Sequence, residues 1–228
     1  MIRNTVLTRI ILSVVLAVAG NGIIACDTHD NIDEEANEKS LVCDEFEISD
    51  QDFPCLTNLP LEALSQAEIN GLLYMREEEK LARDVYIFMY TLYPQPIFNN
   101  ISKSEQRHTD AIKTLLERYE LNDPVAEDIK GSFKNQTLQN LYDNLIEKGK
   151  VDRIEALKVG ALIEETDIQD IKNELEKNVD NQDISTVYGN LLRGSKNHLK
   201  AFVNVLKASG VEYEPVLLDL EIFNEIVK

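Results

Sequence analysis

Four stretches of this chain carry apolar residues at helical spacing, and each stripe is broken near its middle by a carboxylate or an imidazole. The first reads Leu72, Met75, Glu79, Ala82, Tyr86, Met89, Tyr93, and the second Ile101, Glu105, His108, Ile112, Leu115, Tyr119. The third reads Ile154, Leu157, Ala161, Glu164, Ile168, Ile171, Leu175, and the fourth Ile184, Tyr188, Leu191, Ser195, His198, Phe202, Val205. Apolar residues recurring every three or four positions lay one face of a helix against a core. A carboxylate on such a face is costly unless it is paired or coordinated. Four interruptions at similar depth therefore point to one shared polar layer.

Helix signals bound the same stretches. Ser65-Gln-Ala-Glu68 is a capping box. The spacing predicts helices over 65–93, ending at Pro94 and Pro96, and over 97–120, ending near Asn122-Asp123-Pro124. A loop around Gly131-Ser132 leads to a short helix over 137–148, stopped by Gly149. Long helices follow over 151–178 and 183–208, the last closed by Gly210. The tail at 211–228 carries Val216, Leu217, Leu218, Leu220, Ile222, Phe223 and Ile226, which is enough apolar surface to dock back. With 9 Gly and 6 Pro in 228 residues, turn chemistry is too thin for an all-β protein. The expected fold class is all-α, a four-helix bundle with one long crossover.

The chain before residue 59 reads differently. Arg3 and Arg9 precede a short apolar run from Ile10 to Gly20, too short to span a bilayer. Ile23-Ile24-Ala25-Cys26 then resembles a lipobox, so residues 1–25 are expected to be a lipoprotein signal peptide and Cys26 the lipidated residue. Residues 26–58 hold eleven acidic residues against Lys39 alone, the composition of an extended, disordered tether. Cys43 and Cys55 sit at its end, and an oxidising compartment invites a disulfide between them. The domain proper is expected at 59–228. This arrangement implies a membrane-anchored protein of the bacterial cell envelope, outside the cytoplasm. A net charge of −18 argues against nucleic acid as a partner, because phosphate binding needs stripes of Lys and Arg.

The polar layer has the chemistry of a metal site. Carboxylates with neutral imidazoles suit first-row metals, iron or manganese foremost. Glu105-Gln-Arg-His108 sets Glu and His one turn apart on one face. Such a Glu-x-x-His, with a Glu from a neighbouring helix, is the half-site of ferritin-like bundles.

Glu79-Lys-Leu-Ala-Arg83-Asp-Val-Tyr86 resembles the first helix of rubrerythrin-type ferritin-like proteins. Glu78-Glu79 with Asp84 lines up with Glu164-Glu165 and Asp170, and His108 with His198, as in an internal helix-pair duplication. Residues 66–208 are similar to a ferritin-like family, domain of unknown function 2202. The resemblance is carried by Leu73-Tyr-Met-Arg-Glu-Glu-Glu-Lys-Leu-Ala-Arg-Asp-Val-Tyr86, Ser104-Glu-Gln-Arg-His108, Gly160-Ala-Leu-Ile-Glu-Glu-Thr-Asp167 and Leu192-Arg-Gly-Ser-Lys-Asn-His198.

The resemblance implies Glu79, Glu105, His108, His198 and one of Glu164 and Glu165 as metal ligands, with Tyr86 and Ser195 behind them. Helical periodicity selects Glu164. The repeat register selects Glu165, and Glu165 is the expectation, with Glu164 or Glu78 able to fill a vacant place. The second Glu-x-x-His is here Ser195-Lys-Asn-His198, so one carboxylate is missing. An asymmetric dinuclear site and a single ion with open positions both remain. The implied function is an oxidoreductase acting on peroxide, oxygen or iron. The alternative is a non-catalytic adaptor lipoprotein with a metal-free polar core. A homodimer is compatible with the resemblance.

Overall fold

A computed structural model describes residue 56 and residues 58–228. The signal peptide at 1–25, Cys26, Cys43 and Cys55 lie outside the described residues, as does the tether apart from Leu56 and Asn58. Leu56, just before the expected boundary at residue 59, is buried in one apolar cluster with Leu72, Ile112 and Leu115.

Among the described residues the chain is all-α, with six helices and no strand. They are α1 (Gln66–Leu92), α2 (Pro96–Arg118), α3 (Gln136–Gly149), α4 (Arg153–Lys177), α5 (Gln182–Ala208) and α6 (Leu220–Val227). The ends follow from local chemistry. The Ser65 hydroxyl accepts from the Glu68 N–H at 3.1 Å, and the Ser65 N–H donates to Glu68 Oε2 at 2.8 Å. Glu68 Oε1 also accepts from the Asn181 N–H, which ties the turn before α5 to the start of α1. Asn135 caps α3, and Asp152 caps α4 through the N–H groups of Ile154 and Glu155.

α1 packs chiefly on α2, and α4 on α5. The apolar core is divided in two. One half gathers Tyr86, Met89, Phe98, Leu157 and Phe202, and the other Leu72, Met75, Ile112, Ile171 and Tyr188. Between them runs the layer of interrupting residues.

α1 is buried on more than one face. The crossover from α2 to α3 covers its outer side and is held by ion pairs. The Arg76 guanidinium donates to both Asp123 oxygens at 3.0 Å. Arg83 reaches Asp84 and Asp128, and the Lys80 ammonium donates to Asp84 at 2.6 Å and to the carbonyl of Ile129 at 2.9 Å. Glu77 accepts from the backbone N–H groups of Lys134 and Asn135. Lys80 and Asp84 are buried on both sides, and removing one member of that pair costs about 3–5 kcal/mol, because the other charge is stranded. The crossover is thereby fixed over the middle of α1, opposite the polar layer.

Candidate metal centre

Each long helix sends one or two side chains into the layer. α1 supplies Glu79, α2 supplies Glu105 and His108, α4 supplies Glu164, and α5 supplies His198. Glu79, Glu105 and Glu164 are fully buried, and His198 is the most exposed of the five, at 12% of its side chain. Glu105 sits in the middle. Its Oε2 lies 2.9 Å from His108 Nδ1 and its Oε1 lies 2.8 Å from His198 Nδ1. Glu79 Oε2 lies 3.1 Å from His108 Nδ1, and Glu164 Oε2 lies 3.3 Å from His198 Nδ1. The imidazoles stack with centroids 5.5 Å apart. Two triads result, Glu79–Glu105–His108 and Glu105–Glu164–His198, joined at Glu105, each with ligand atoms within 4.8 Å of one another.

Hydrogen bonding does not satisfy this cluster. His108 Nδ1 bonds Glu79 Oε2. Glu79 Oε1, both Glu105 oxygens, Glu164 Oε2 and His198 Nδ1 find no hydrogen-bond partner among the described residues. The distances to Glu105 are short, but the ring N–H directions do not meet its oxygens.

Electrostatics follows from burial and from the pairs. Burial alone would raise the Glu105 carboxyl, but the imidazoles of His108 and His198 outweigh it and hold it well below the usual range. Burial pushes the Glu79 carboxyl up to about 7, against the pull of His108. Burial disfavours charge on His108, yet Glu105 and Glu79 bring it up to about 9. His198 is raised too, by Glu164 and Glu105 against burial. The raised His108, His198 and Glu79 hold protons that a bound cation would displace.

Neighbouring groups hold the cluster in place. The Tyr86 hydroxyl donates to Glu164 Oε1 at 2.5 Å, and it also reaches the carbonyl of Gly160 at 3.2 Å. Ser195 is buried, and its hydroxyl donates to the carbonyl of Leu191 at 3.1 Å, as a serine on a helix satisfies itself on the preceding turn.

Glu165 is not brought into either triad: it is buried about 100° around α4 from Glu164 and serves the tail. Its carboxylate accepts from the Tyr213 hydroxyl at 2.7 Å and from the backbone N–H groups of Val216, Leu217 and Leu218. The 3/4 spacing had selected Glu164, and Glu164 is the residue in the layer. Glu78 is also buried but lies outside both triads.

The sequence reading did not pick out Gly194. A Cβ built there would lie 2.6 Å from His108 Nε2, so only a glycine lets the imidazole seat against α5. The signal was present, because a lone glycine inside a helical pattern usually has a packing reason.

Fold and site together define an all-helical protein with a buried carboxylate–imidazole cluster. Residues 68–228 match the family described as an uncharacterized protein domain, DUF2202, and the chain belongs to that family. It is 47% identical over 172 residues to the uncharacterized protein MJ0754 of Methanocaldococcus jannaschii, spanning 75% of this chain and 92% of that protein. The crystal structure of the hypothetical protein MJ0754 from Methanococcus jannaschii resembles this fold with a TM-score of 0.73 at 48% identity, covering 75% of this chain and 97% of that one.

Proposed function

We propose that this is a ferritin-like four-helix bundle, anchored outside the cytoplasm through Cys26, that binds iron or manganese and carries out redox chemistry on peroxide, oxygen or iron. The observation that supports it is the convergence of three fully buried carboxylates and two imidazoles from four helices in one layer, as two triads whose donor atoms lie within 4.8 Å of one another.

The residues fit such a group. Three carboxylates and two imidazoles are oxygen and nitrogen donors suited to iron or manganese. Glu79, Glu105 and His108 would hold a metal ion, as would Glu105, Glu164 and His198. A bound first-row metal supplies Lewis acidity and, for iron or manganese, a change of oxidation state. The protein's own part is to fix the ligands, keep the layer dry between two apolar clusters, and accept the displaced protons. Tyr86 orients Glu164 through its hydrogen bond. The small Ser195 leaves the α5 side without a fourth carboxylate, and His198 beside it is the most solvent-exposed ligand.

A second reading is a non-catalytic adaptor with a metal-free polar core. The hydrogen bond from His108 to Glu79 favours it. Thermal melting with and without Fe(II) or Mn(II), in wild type and in His108→Ala, separates the two. A ligand at a hundred times its Kd stabilises by about 2.7 kcal/mol. The metalloprotein gains melting temperature in wild type and little in the variant. Negligible gains in both proteins favour the adaptor.

A further inference from the structure

A cavity of about 820 Å³ opens between the first half of α1, the crossover and the end of α4. That is the size of a small-molecule site, in which a few fixed polar groups orient the ligand. Part of its wall is already satisfied. Glu77 accepts from the N–H groups of Lys134 and Asn135, and the Asn178 amide donates to Glu174 Oε1 at 2.9 Å.

Two polar groups are left over. Glu174 Oε2 and the Tyr188 hydroxyl are buried atoms with no hydrogen-bond partner among the described residues. Tyr188, on α5, is fully buried, and Glu174 is a half-buried residue of the cavity wall. Both groups face Gly71, which lines the cavity from α1. A Cβ built there would lie 2.5 Å from Glu174 Oε2 and 3.6 Å from the Tyr188 oxygen. Gly71 is the only glycine of α1, so carboxylate and phenol meet at the one point where that helix carries no side chain.

The chemistry selects a cation. Glu174 makes no ion pair among the described residues, and a carboxylate drawn out of water needs a positive partner. One carboxylate and one phenol are too few oxygens for a hard divalent ion, and neither residue belongs to a candidate metal group. An ammonium carries three donors, and it can give one to Glu174 Oε2 and one to the Tyr188 oxygen. The aromatic side chain of Tyr74 in the same wall favours an organic cation. Lys134 is the one cationic residue of that wall, and it would repel a second ammonium. We propose that this cavity binds a small primary monoamine, its ammonium group held between Glu174 and Tyr188 at Gly71. The inference stands apart from the metal-centre reading.

The test titrates the isotope-labelled full chain with n-butylamine at fixed pH and ionic strength and follows the backbone amide resonances. A parallel series with n-butanol replaces the ammonium by an uncharged hydroxyl. The expected result is a saturable shift at Gly71, Glu174 and Asn178 with butylamine and none with butanol. Glu174→Gln is expected to weaken binding by about tenfold, and Tyr188→Phe by about fivefold. Tyr188→Phe keeps the ring and removes only the unpartnered hydroxyl, so it carries the test if Glu174→Gln does not fold. Wild-type affinity in either variant overturns the proposal. So do equal binding of butanol, and shifts that never saturate and spread over the acidic surface. None of these results bears on the metal centre.

Discussion

Replacing Gly194 with alanine sets a Cβ 2.6 Å from Nε2 and 2.7 Å from Cε1 of His108. Ordinary contact begins at 3.4 Å, so the ring must retreat by roughly 0.8 Å. It has little room to do so. Its face stacks on His198, and its Nδ1 is held by Glu79 and Glu105. Metal–ligand distances tolerate only about 0.2 Å, so a ring displaced that far no longer completes the Glu79–Glu105–His108 triad. Disturbing a ligand's support costs about 10–100-fold in metal affinity. Overpacking by a methyl costs a further ~1–3 kcal/mol of stability. Calorimetric titration with Mn(II), beside melting of the metal-free protein, reads both terms. Wild-type affinity together with a wild-type melting temperature would show that His108 is not seated against position 194. A lowered melting temperature with unchanged affinity would remove His108 from the ligand set.

The metal-free protein has a definite pH dependence. His108, raised to about 9, contributes stability that is complete below its ordinary 6.5 and is lost as pH rises through 9. Glu79, raised by burial to about 7, acts in the same sense, since its ionisation is disfavoured in the fold. The metal-free melting temperature should therefore fall between pH 6 and 9, while the gain on adding Mn(II) grows; calorimetry showing a rise without metal would contradict this. Glu165→Gln removes the charge that gathers three tail N–H groups and should cost about 1–3 kcal/mol. Faster amide exchange at Val216, Leu217 and Leu218 is the readout, and unchanged exchange there sinks the idea. Cys26→Ser should release the protein from the membrane fraction, as two or more acyl chains make the stable anchor; unchanged fractionation and gel mobility would end the lipobox reading.

Helix bounds were readable because their signals are local. Ser65 with Glu68, Pro96, Asp152 and Gly210 all mark ends that the structure places within about two residues. The layer was readable because its members interrupt stripes of otherwise apolar residues. The choice between Glu164 and Glu165 shows where pattern stops. Both are buried, because α4 has the core on one side and the tail on the other. The 3/4 spacing identifies the core face, whereas the apparent repeat carries no information about which face the tail covers. The charged face of α1 is a further case. Arg76 and Arg83 are buried by Asp123 and Asp128, partners 47 and 45 residues away, and no local signal announces such pairs. Ser195 shows the reverse, a polar residue on a core stripe whose hydroxyl is satisfied by its own helix.

The central claim is that metal is held within the two triads, and one measurement tests it most directly. Crystals grown from protein purified out of its native host, with its metal retained, would be recorded above and below the iron and manganese absorption edges. The expected result is anomalous density bounded by Glu79, Glu105 and His108, and by Glu105, Glu164 and His198, with Glu105 between the peaks. Density elsewhere, or a layer without anomalous signal in protein handled without chelator, would contradict the account.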